Sequence, residues 1–271
     1  MRPARTIAVF PTMLTLGNLV CGFFAIVVAA RVDKPDSALM NLVDIENVML
    51  SGWLIFLAMV FDALDGYVAR LSGTASDFGA QLDSLCDLVT FGVAPGFLLV
   101  KMCPRFTYLH KEAVWVIAAA FAACAALRLA RFTVETSDED EHLSFSGLPA
   151  PAAAAAIAGF GIMFHTLRNA EMPLRYAHQI EVVLQTALPC FAVMVALLMV
   201  SRIPYPHVVN QIFRGQRSFG HVVGVVFALV AVMVIRGYSV PIICCVFALC
   251  GPVRLGWAKV IQRRHQEDPL F

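Results

Sequence analysis

The sequence predicts an all-α membrane protein, a bundle of about eight transmembrane helices. Hydrophobic residues make up 59% of the 271 residues, charged residues only 14%, and the mean hydropathy is +0.76. A soluble domain of this length would not bury so much apolar surface. The apolar residues also form runs of about 20, the length at which a helix crosses a bilayer. A net charge of +1 supplies no basic stripe for phosphates, which excludes nucleic acid as a partner.

The apolar runs define the spans in chain order. The first follows two arginines, as a signal peptide would, but its length and its Gly17-Asn18 pair favour a retained helix. The third begins with polar residues, and a short turn near Gly237 is assumed between the last two. The predicted spans are 8–31, 48–70, 79–102, 111–133, 149–167, 183–202, 218–236 and 238–260.

An even number of spans places both termini on one side of the membrane. Basic residues are more numerous on that side, so we predict cytoplasmic termini. The eight cysteines are scattered through apolar segments without C-x-x-C spacing, which indicates small buried hydrophobic residues and no metal or redox site.

Four aspartates lie inside the second and third helical segments. Each Asp at a bilayer centre costs roughly 2.5 to 3.5 kcal/mol, so the four oppose insertion by about 10 kcal/mol or more unless something neutralises them. Asp62 and Asp65 share one face near the end of the second helix, and Asp83 and Asp87 share one face at the start of the third. Since the short segment 71–78 joins the two helices, the acidic faces are predicted to meet in one pocket.

The residue types of this pocket favour Mg²⁺ or Mn²⁺. Carboxylate oxygens are hard ligands, and no His or Cys is placed to favour zinc. Acids from two helices suit a pair of ions, the arrangement that serves phosphoryl transfer. Gly66 and Ala69 leave room for a ligand, and the Arg70 guanidinium suits a phosphate. Acidity alone would favour an ion pathway, such as a divalent-metal transporter, over an enzyme.

Spacing distinguishes these alternatives. Residues 61–87, FDALDGYVARLSGTASDFGAQLDSLCD, read D-x-x-D-G-x-x-A-R-x8-G-x3-D-x3-D. This resembles the signature of the CDP-alcohol phosphotransferase family, membrane enzymes that join a CDP-activated lipid or alcohol to a second alcohol and release CMP. The resemblance implies that Asp62, Asp65 and Asp83 bind two divalent ions, and that Asp87 both faces them and acts as general base. It also implies a CDP site formed by Asn18, Asp62, Gly66, Ala69, Arg70 and Gly79. For Asn18 a second interpretation fits as well, because polar residues of membrane helices often bridge two helices.

Further segments are similar to the membrane-embedded phosphatidylserine synthases of bacteria, a branch of that family. This similarity implies CDP-diacylglycerol and L-serine as substrates, and a homodimer. Arg128 and Arg131, at i and i+3, are suited to the serine carboxylate, although lipid headgroup anchors fit them too. Thr133 stands where this branch leads us to expect Asn, and Ala150 where a larger aliphatic residue is common. The segments are 11–22, 90–95, 126–132, 145–151 and 201–206.

We therefore expect a six-helix catalytic membrane domain at residues 1–206, followed at 207–271 by two additional helices and a cytoplasmic tail. The expected location is a bacterial inner membrane, with the active site on the cytoplasmic side. Another acceptor, such as glycerol 3-phosphate or an inositol phosphate, fits the same motif. A different CDP-activated lipid, such as an ether lipid, fits it as well.

Overall fold

The computed structural model describes residues 4–32, 42–72, 77–103, 111–135, 147–169, 177–203 and 236–266. Every regular element in these ranges is helical, as the sequence predicts. The elements are α1 (Ala4–Ala30), α2 (Leu42–Ser72), α3 (Asp77–Asp87), a π-helical segment (Leu88–Val93), α4 (Ala94–Met102), α5 (Lys111–Glu135), α6 (Ala150–Arg168), α7 (Ala177–Val200), a 3₁₀ turn (Arg236–Tyr238) and α8 (Ser239–Gln266).

Six helical stretches are long and apolar enough to cross a membrane, and they match the first six predicted spans. The protein is thus an integral membrane helical bundle. The apolar part of α8, Ser239–Arg254, is shorter, and the predicted span 218–236 lies outside the described residues. The six stretches are Phe10–Ala30, Leu42–Ala69, Phe78–Met102, Glu112–Thr133, Ala150–Arg168 and Gln179–Val200.

Two elements differ from the predicted spans. Helix α2 begins at Leu42 and not at residue 48, because its first turns carry Asp44 and Glu46 and an apolar-run criterion stops short of them. The third crossing is not one regular helix but α3, the π-helical segment and α4. Pro95 lies in the first turn of α4 and has no backbone N–H to donate. The N–H of the preceding residue, Ala94, donates to the carbonyl of Val89 five residues back, which is the π-helical pattern.

Helix α6 forms the centre of the bundle. About 78% of its most apolar stretch is buried, against 22% for the corresponding stretch of α5. Small residues let the neighbouring helices approach α6 closely, as is common in membrane bundles. A Cβ built on Gly159 of α6 would lie 3.1 Å from the Cα of Pro241 in α8. In the described part of the chain, α8 therefore packs directly on the central helix.

Contacts between helix ends show that α6 and α7 run in opposite directions. At the start of α6, the Leu148 N–H donates to the Leu198 carbonyl near the end of α7. Gly147, whose φ of +97° favours glycine, donates to the carbonyl of Ile203. At the other end, Arg168 of α6 pairs with Glu181 of α7. In α3 and α5, the Ser84 and Thr133 hydroxyls lie 3.3 Å apart, so the acid-bearing α3 lies beside the C-terminal end of α5.

Candidate functional site

The structure brings the predicted aspartates together. One carboxylate oxygen each from Asp62, Asp83 and Asp87 lie within 4.8 Å of one another, a separation that one or two bound cations can bridge. Asp65 is buried beside them and interacts electrostatically with all three. Asp62 and Asp65 come from α2, and Asp83 and Asp87 from α3. We call these four residues the acidic cluster.

Helix α1 supplies polar groups to the acidic cluster. Asn18, with no exposed surface, donates from Nδ2 to Oδ1 of Asp87 at 2.9 Å. The Thr15 hydroxyl interacts with the Asp65 carboxylate and also lies 3.1 Å from the Pro11 carbonyl, so its single proton can serve only one of them at a time. Of the two roles expected for Asn18, the structure shows a bond between helices, from its amide to Asp87, and the contact with the nucleotide stays a prediction.

Two residues at this site, Thr15 and Thr90, were not predicted from the sequence. Thr15 lies three residues before Asn18, on the same helix face, and this spacing was the available signal. Thr90, three residues after Asp87, donates from its hydroxyl to the main-chain carbonyl of Asn18 at 3.2 Å. No sequence signal identifies this bond, because it depends on how closely α1 approaches the π-helical segment.

Unpartnered polar atoms concentrate at this site. Over the described ranges, only four buried side-chain nitrogen or oxygen atoms have no hydrogen-bond partner, and all belong to predicted site residues. Each such atom lowers the stability of the folded protein by about 1 to 3 kcal/mol, and by more when it is charged, unless a ligand forms a hydrogen bond with it. Three are acceptors suited to a cation or a donor group, and the fourth is a guanidinium N–H suited to an anion. They are Oδ1 of Asn18, Oδ2 of Asp65, Oδ1 of Asp83 and Nε of Arg128. The donor set therefore fits divalent ions together with an anionic ligand.

The predicted arginines differ in what the structure describes of them. Arg128 of α5 is partly buried and interacts electrostatically with Asp87, which places its charge beside the acidic cluster. Arg131, one turn further along α5, is partly buried as well. The side chain of Arg70 lies outside the described residues, although its backbone belongs to α2.

The small residues of the motif lie on the same helix faces as the acids. A Cβ built on Gly66 would meet no heavy atom within 4 Å, so the space beside this residue is open. Ala69 of α2 and Gly79 of α3 are partly exposed. The sequence predicts that these small residues leave room for a ligand next to the acidic cluster.

Thr133, the position that departs from the expected Asn, also contacts the third crossing. Its hydroxyl lies 3.3 Å from that of Ser84, the residue after Asp83. The C-terminal end of α5 is thereby joined to α3 beside the acidic cluster.

A family model described as CDP-alcohol phosphatidyltransferase matches residues 8–200, which include the whole acidic motif. The chain belongs to the CDP-alcohol phosphatidyltransferase family. The resemblance read from residues 61–87 is thus confirmed. The matched range of the chain also contains Asn18, Arg128 and Arg131, whereas α8 lies beyond it. The domain boundary at residue 206 stays a prediction.

Relatives within the family carry names that describe related reactions. The chain is 39% identical over 160 residues to the CDP-diacylglycerol–serine O-phosphatidyltransferase of Methanocaldococcus jannaschii, a match that covers 59% of this chain and 65% of that relative. It is 31% identical over 205 residues to the Helicobacter pylori protein of the same name, covering 76% and 75%. It is 34% identical over 158 residues to the archaetidylserine synthase of Methanothermobacter thermautotrophicus, covering 57% of each chain.

Proposed function

We propose that the protein is a CDP-diacylglycerol–serine O-phosphatidyltransferase, which transfers the phosphatidyl group of CDP-diacylglycerol to the hydroxyl of L-serine and yields phosphatidylserine and CMP. The observation that carries this proposal is the acidic cluster, with its unpartnered carboxylate oxygens, inside a membrane bundle of this family. The choice of serine is supported by the names of the relatives.

Asp62, Asp65, Asp83 and Asp87 would hold the divalent ions, Mg²⁺ or Mn²⁺ and two in number. When bound, such ions offset the charge of the diphosphate and of the leaving CMP. The carboxylates repel one another, and this repulsion favours capture of cations. The open space beside Gly66, together with Ala69, Gly79 and Arg70, would receive the CDP group.

Asp87 is the proposed general base. An alcohol is a poor nucleophile at neutral pH, and removal of its proton in the transition state accelerates attack. The serine oxygen forms a bond to the phosphorus that carries diacylglycerol, the bond from this phosphorus to the CMP oxygen breaks, and CMP leaves with the electron pair. Asp87 receives the proton of the serine hydroxyl. Direct displacement of this kind needs no covalent enzyme intermediate.

Arg128 supports a carboxylate-bearing acceptor. Its guanidinium interacts with Asp87 and keeps a buried Nε without a hydrogen-bond partner among the described residues. A carboxylate bound there would be held by charge-assisted bonds, and the hydroxyl of so small an amino acid would then lie close to Asp87. Arg131 is the proposed second contact with the same carboxylate. Glycerol 3-phosphate and inositol phosphates would offer a phosphate in its place.

The proposed location is a bacterial inner membrane, with both termini and the active site on the cytoplasmic side. The basic residues near the predicted span ends support this orientation. A homodimer is proposed from the family resemblance.

The first experiment is serine-dependent CMP release by purified protein in mixed micelles that contain CDP-diacylglycerol and Mn²⁺. L-Serine, glycerol 3-phosphate and inositol phosphate are compared as acceptors. We expect release with L-serine, and its loss in Asp87→Asn. Glu112→Gln, an exposed carboxylate-to-amide change at the far end of α5, is the matched control and should leave release unchanged.

Two other results would change the proposal. Release with a different acceptor would retain the family chemistry and reject serine. A folded protein that releases no CMP with any acceptor, yet carries Mn²⁺ into liposomes, would support the divalent-metal transporter that the acidic cluster alone also fits.

A further inference from the structure

Asn18 makes a direct contact with the proposed base. Its Nδ2 lies 2.9 Å from Oδ1 of Asp87, and both residues are buried, with 0% and 8% of their surface exposed. A carboxylate only accepts hydrogen bonds, so the nitrogen end of the amide must face it. The Oδ1 of Asp87 thereby accepts a hydrogen bond from a neutral amide group, and this group cannot accept a proton from Asp87.

Asn18 is itself held at its backbone. The Thr90 hydroxyl donates to the main-chain carbonyl of Asn18 at 3.2 Å. Gly22, one turn further along α1, permits this contact, since a Cβ there would lie 2.9 Å from the Cα of Thr90. Thr90 belongs to the π-helical segment that follows Asp87 directly, and such segments often occur at functional sites. Two bonds thus join α1 to the third crossing at the level of the base.

We infer that Asn18 is a positioning residue for Asp87, and that Thr90 acts through Asn18. The Nδ2–Oδ1 bond fixes the plane of the Asp87 carboxylate and so directs its second oxygen at the acceptor hydroxyl. Without this bond the Asp87 carboxylate can rotate about its side-chain torsions, and its second oxygen is no longer held toward the acceptor hydroxyl. The inference rests on the proposed function of Asp87, and it gives Asn18 a different task from the nucleotide contact expected from the sequence.

The test uses variants of the full-length protein in micelles with CDP-diacylglycerol, L-serine and Mn²⁺. Asn18→Leu keeps the size of the side chain and removes the donor. Thr90→Val removes the hydroxyl at constant shape, and Thr90→Ser keeps it. Thr186→Val is the matched control, since its hydroxyl bonds only the Val182 carbonyl one turn back on an exposed face of α7.

We expect Asn18→Leu to lower kcat by about 10- to 100-fold, the usual cost of losing a partner that orients a site residue, with the KM for CDP-diacylglycerol changed less than about 3-fold. Thr90→Val should lower kcat by about 2- to 10-fold, in proportion to one neutral hydrogen bond, and Thr90→Ser should restore it. In an Asn18→Leu background, Thr90→Val should cost nothing further, because its effect passes through Asn18.

A second readout is independent of turnover. Because Asp87 also faces the proposed ions, Asn18→Leu should weaken Mn²⁺ binding by about 10-fold or more, measured by the electron paramagnetic resonance signal of free Mn²⁺. The thermal unfolding midpoint in EDTA should stay within a few degrees of wild type. Asn18→Ala, with a smaller side chain, guards against misfolding caused by leucine.

Three results would overturn the inference: Asn18→Leu with wild-type kcat and Mn²⁺ affinity, a raised KM with an unchanged kcat, or a full additive cost of Thr90→Val in the Asn18→Leu background. Failure of the proposed function itself would look different, since wild type would then release no CMP with serine whatever residue stands at position 18.

Discussion

In the described part of the bundle, two groups of charged and polar side chains are largely buried, and they differ in whether their members form hydrogen bonds with one another. In the acidic cluster, Oδ2 of Asp65 and Oδ1 of Asp83 have no hydrogen-bond partner in the described part of the chain. At the other end, Arg168, Glu181 and Gln185 form a group that we call the Arg168–Glu181 cluster. Arg168 holds Glu181 with two bonds, of 2.9 Å from Nε and 2.7 Å from Nη2, and the Gln185 amide donates to Glu181 at 2.9 Å.

This difference separates a ligand site from a structural link. Glu181 and Gln185 are 3% and 1% exposed, as buried as any acid in the site, yet each has found its partner within the chain. Burial of charge is therefore not what marks the acidic cluster. What marks it is four carboxylates with too few donors, an arrangement that lowers the stability of the empty protein and favours the binding of cations.

The largest effect is expected from a substitution that disrupts the acidic cluster. Asp83→Asn removes one proposed ion ligand and should lower CMP release by about 1,000-fold or more, because charge on the diphosphate is then poorly offset in the transition state. The same change relieves repulsion among the carboxylates, so the unfolding midpoint in EDTA should equal or exceed that of wild type. Activity and thermal unfolding, measured on one preparation, give both results. Loss of activity together with loss of stability in EDTA would place Asp83 with the structural residues.

The next largest effect is expected from a substitution that disrupts the Arg168–Glu181 cluster. Glu181→Gln leaves the Arg168 charge without its carboxylate, and loss of one partner of a buried pair costs about 3 to 5 kcal/mol. Unfolding by sodium dodecyl sulfate in mixed micelles should report this as a lower free energy of unfolding. The KM for CDP-diacylglycerol of the folded fraction should stay at the wild-type value. A specific change in KM would show that this cluster communicates with the site.

Divalent ions sharpen the comparison without any change of sequence. A ligand that binds only the folded protein stabilises it by RT ln(1 + [L]/Kd), about 2.7 kcal/mol at 100 times Kd. Mn²⁺ should therefore raise the unfolding midpoint of wild type and of Glu181→Gln alike. It should have little effect on Asp62→Asn combined with Asp83→Asn. An equal shift in that double variant would indicate that Mn²⁺ binds elsewhere.

These two clusters also show how far the sequence carries the prediction. The meeting of Asp62 with Asp83 and Asp87 follows from spacings of three and four on two consecutive helices, because such spacing fixes a common face. The pairing of Arg168 with Glu181 joins two helices whose side-chain register no local pattern determines.

The π-helical segment is the part of the site that was not predicted from the sequence. Pro95 signals a break in the third crossing, but not whether a kink, a turn or an extra residue will accommodate it. The Thr90–Asn18 bond exists only once that segment packs on α1. Long, apolar helices were thus readable from composition, whereas contacts that depend on the close approach of two backbones were not.

The smallest effects are expected from two glycine substitutions that test the space around a residue and leave the charge unchanged. Gly66→Ala and Gly159→Ala make the same change within two helices, so the gain in helix propensity is common to both and the difference between them reports packing. A Cβ at Gly66 meets nothing within 4 Å, whereas a Cβ at Gly159 lies 3.1 Å from the backbone of Pro241. We expect Gly159→Ala to be less stable than Gly66→Ala by about 1 kcal/mol, with the KM for CDP-diacylglycerol unchanged.

Gly66→Ala should show the opposite pattern, with unchanged or slightly higher stability and a raised KM, because the added methyl group occupies space proposed for the CDP group. Steady-state kinetics and unfolding by sodium dodecyl sulfate, run on both variants, measure the two effects. A raised KM in Gly159→Ala would mean that α8, through its contact with α6, shapes the site. In that case residues beyond the family match would belong to the catalytic unit, and the boundary predicted at residue 206 would be wrong.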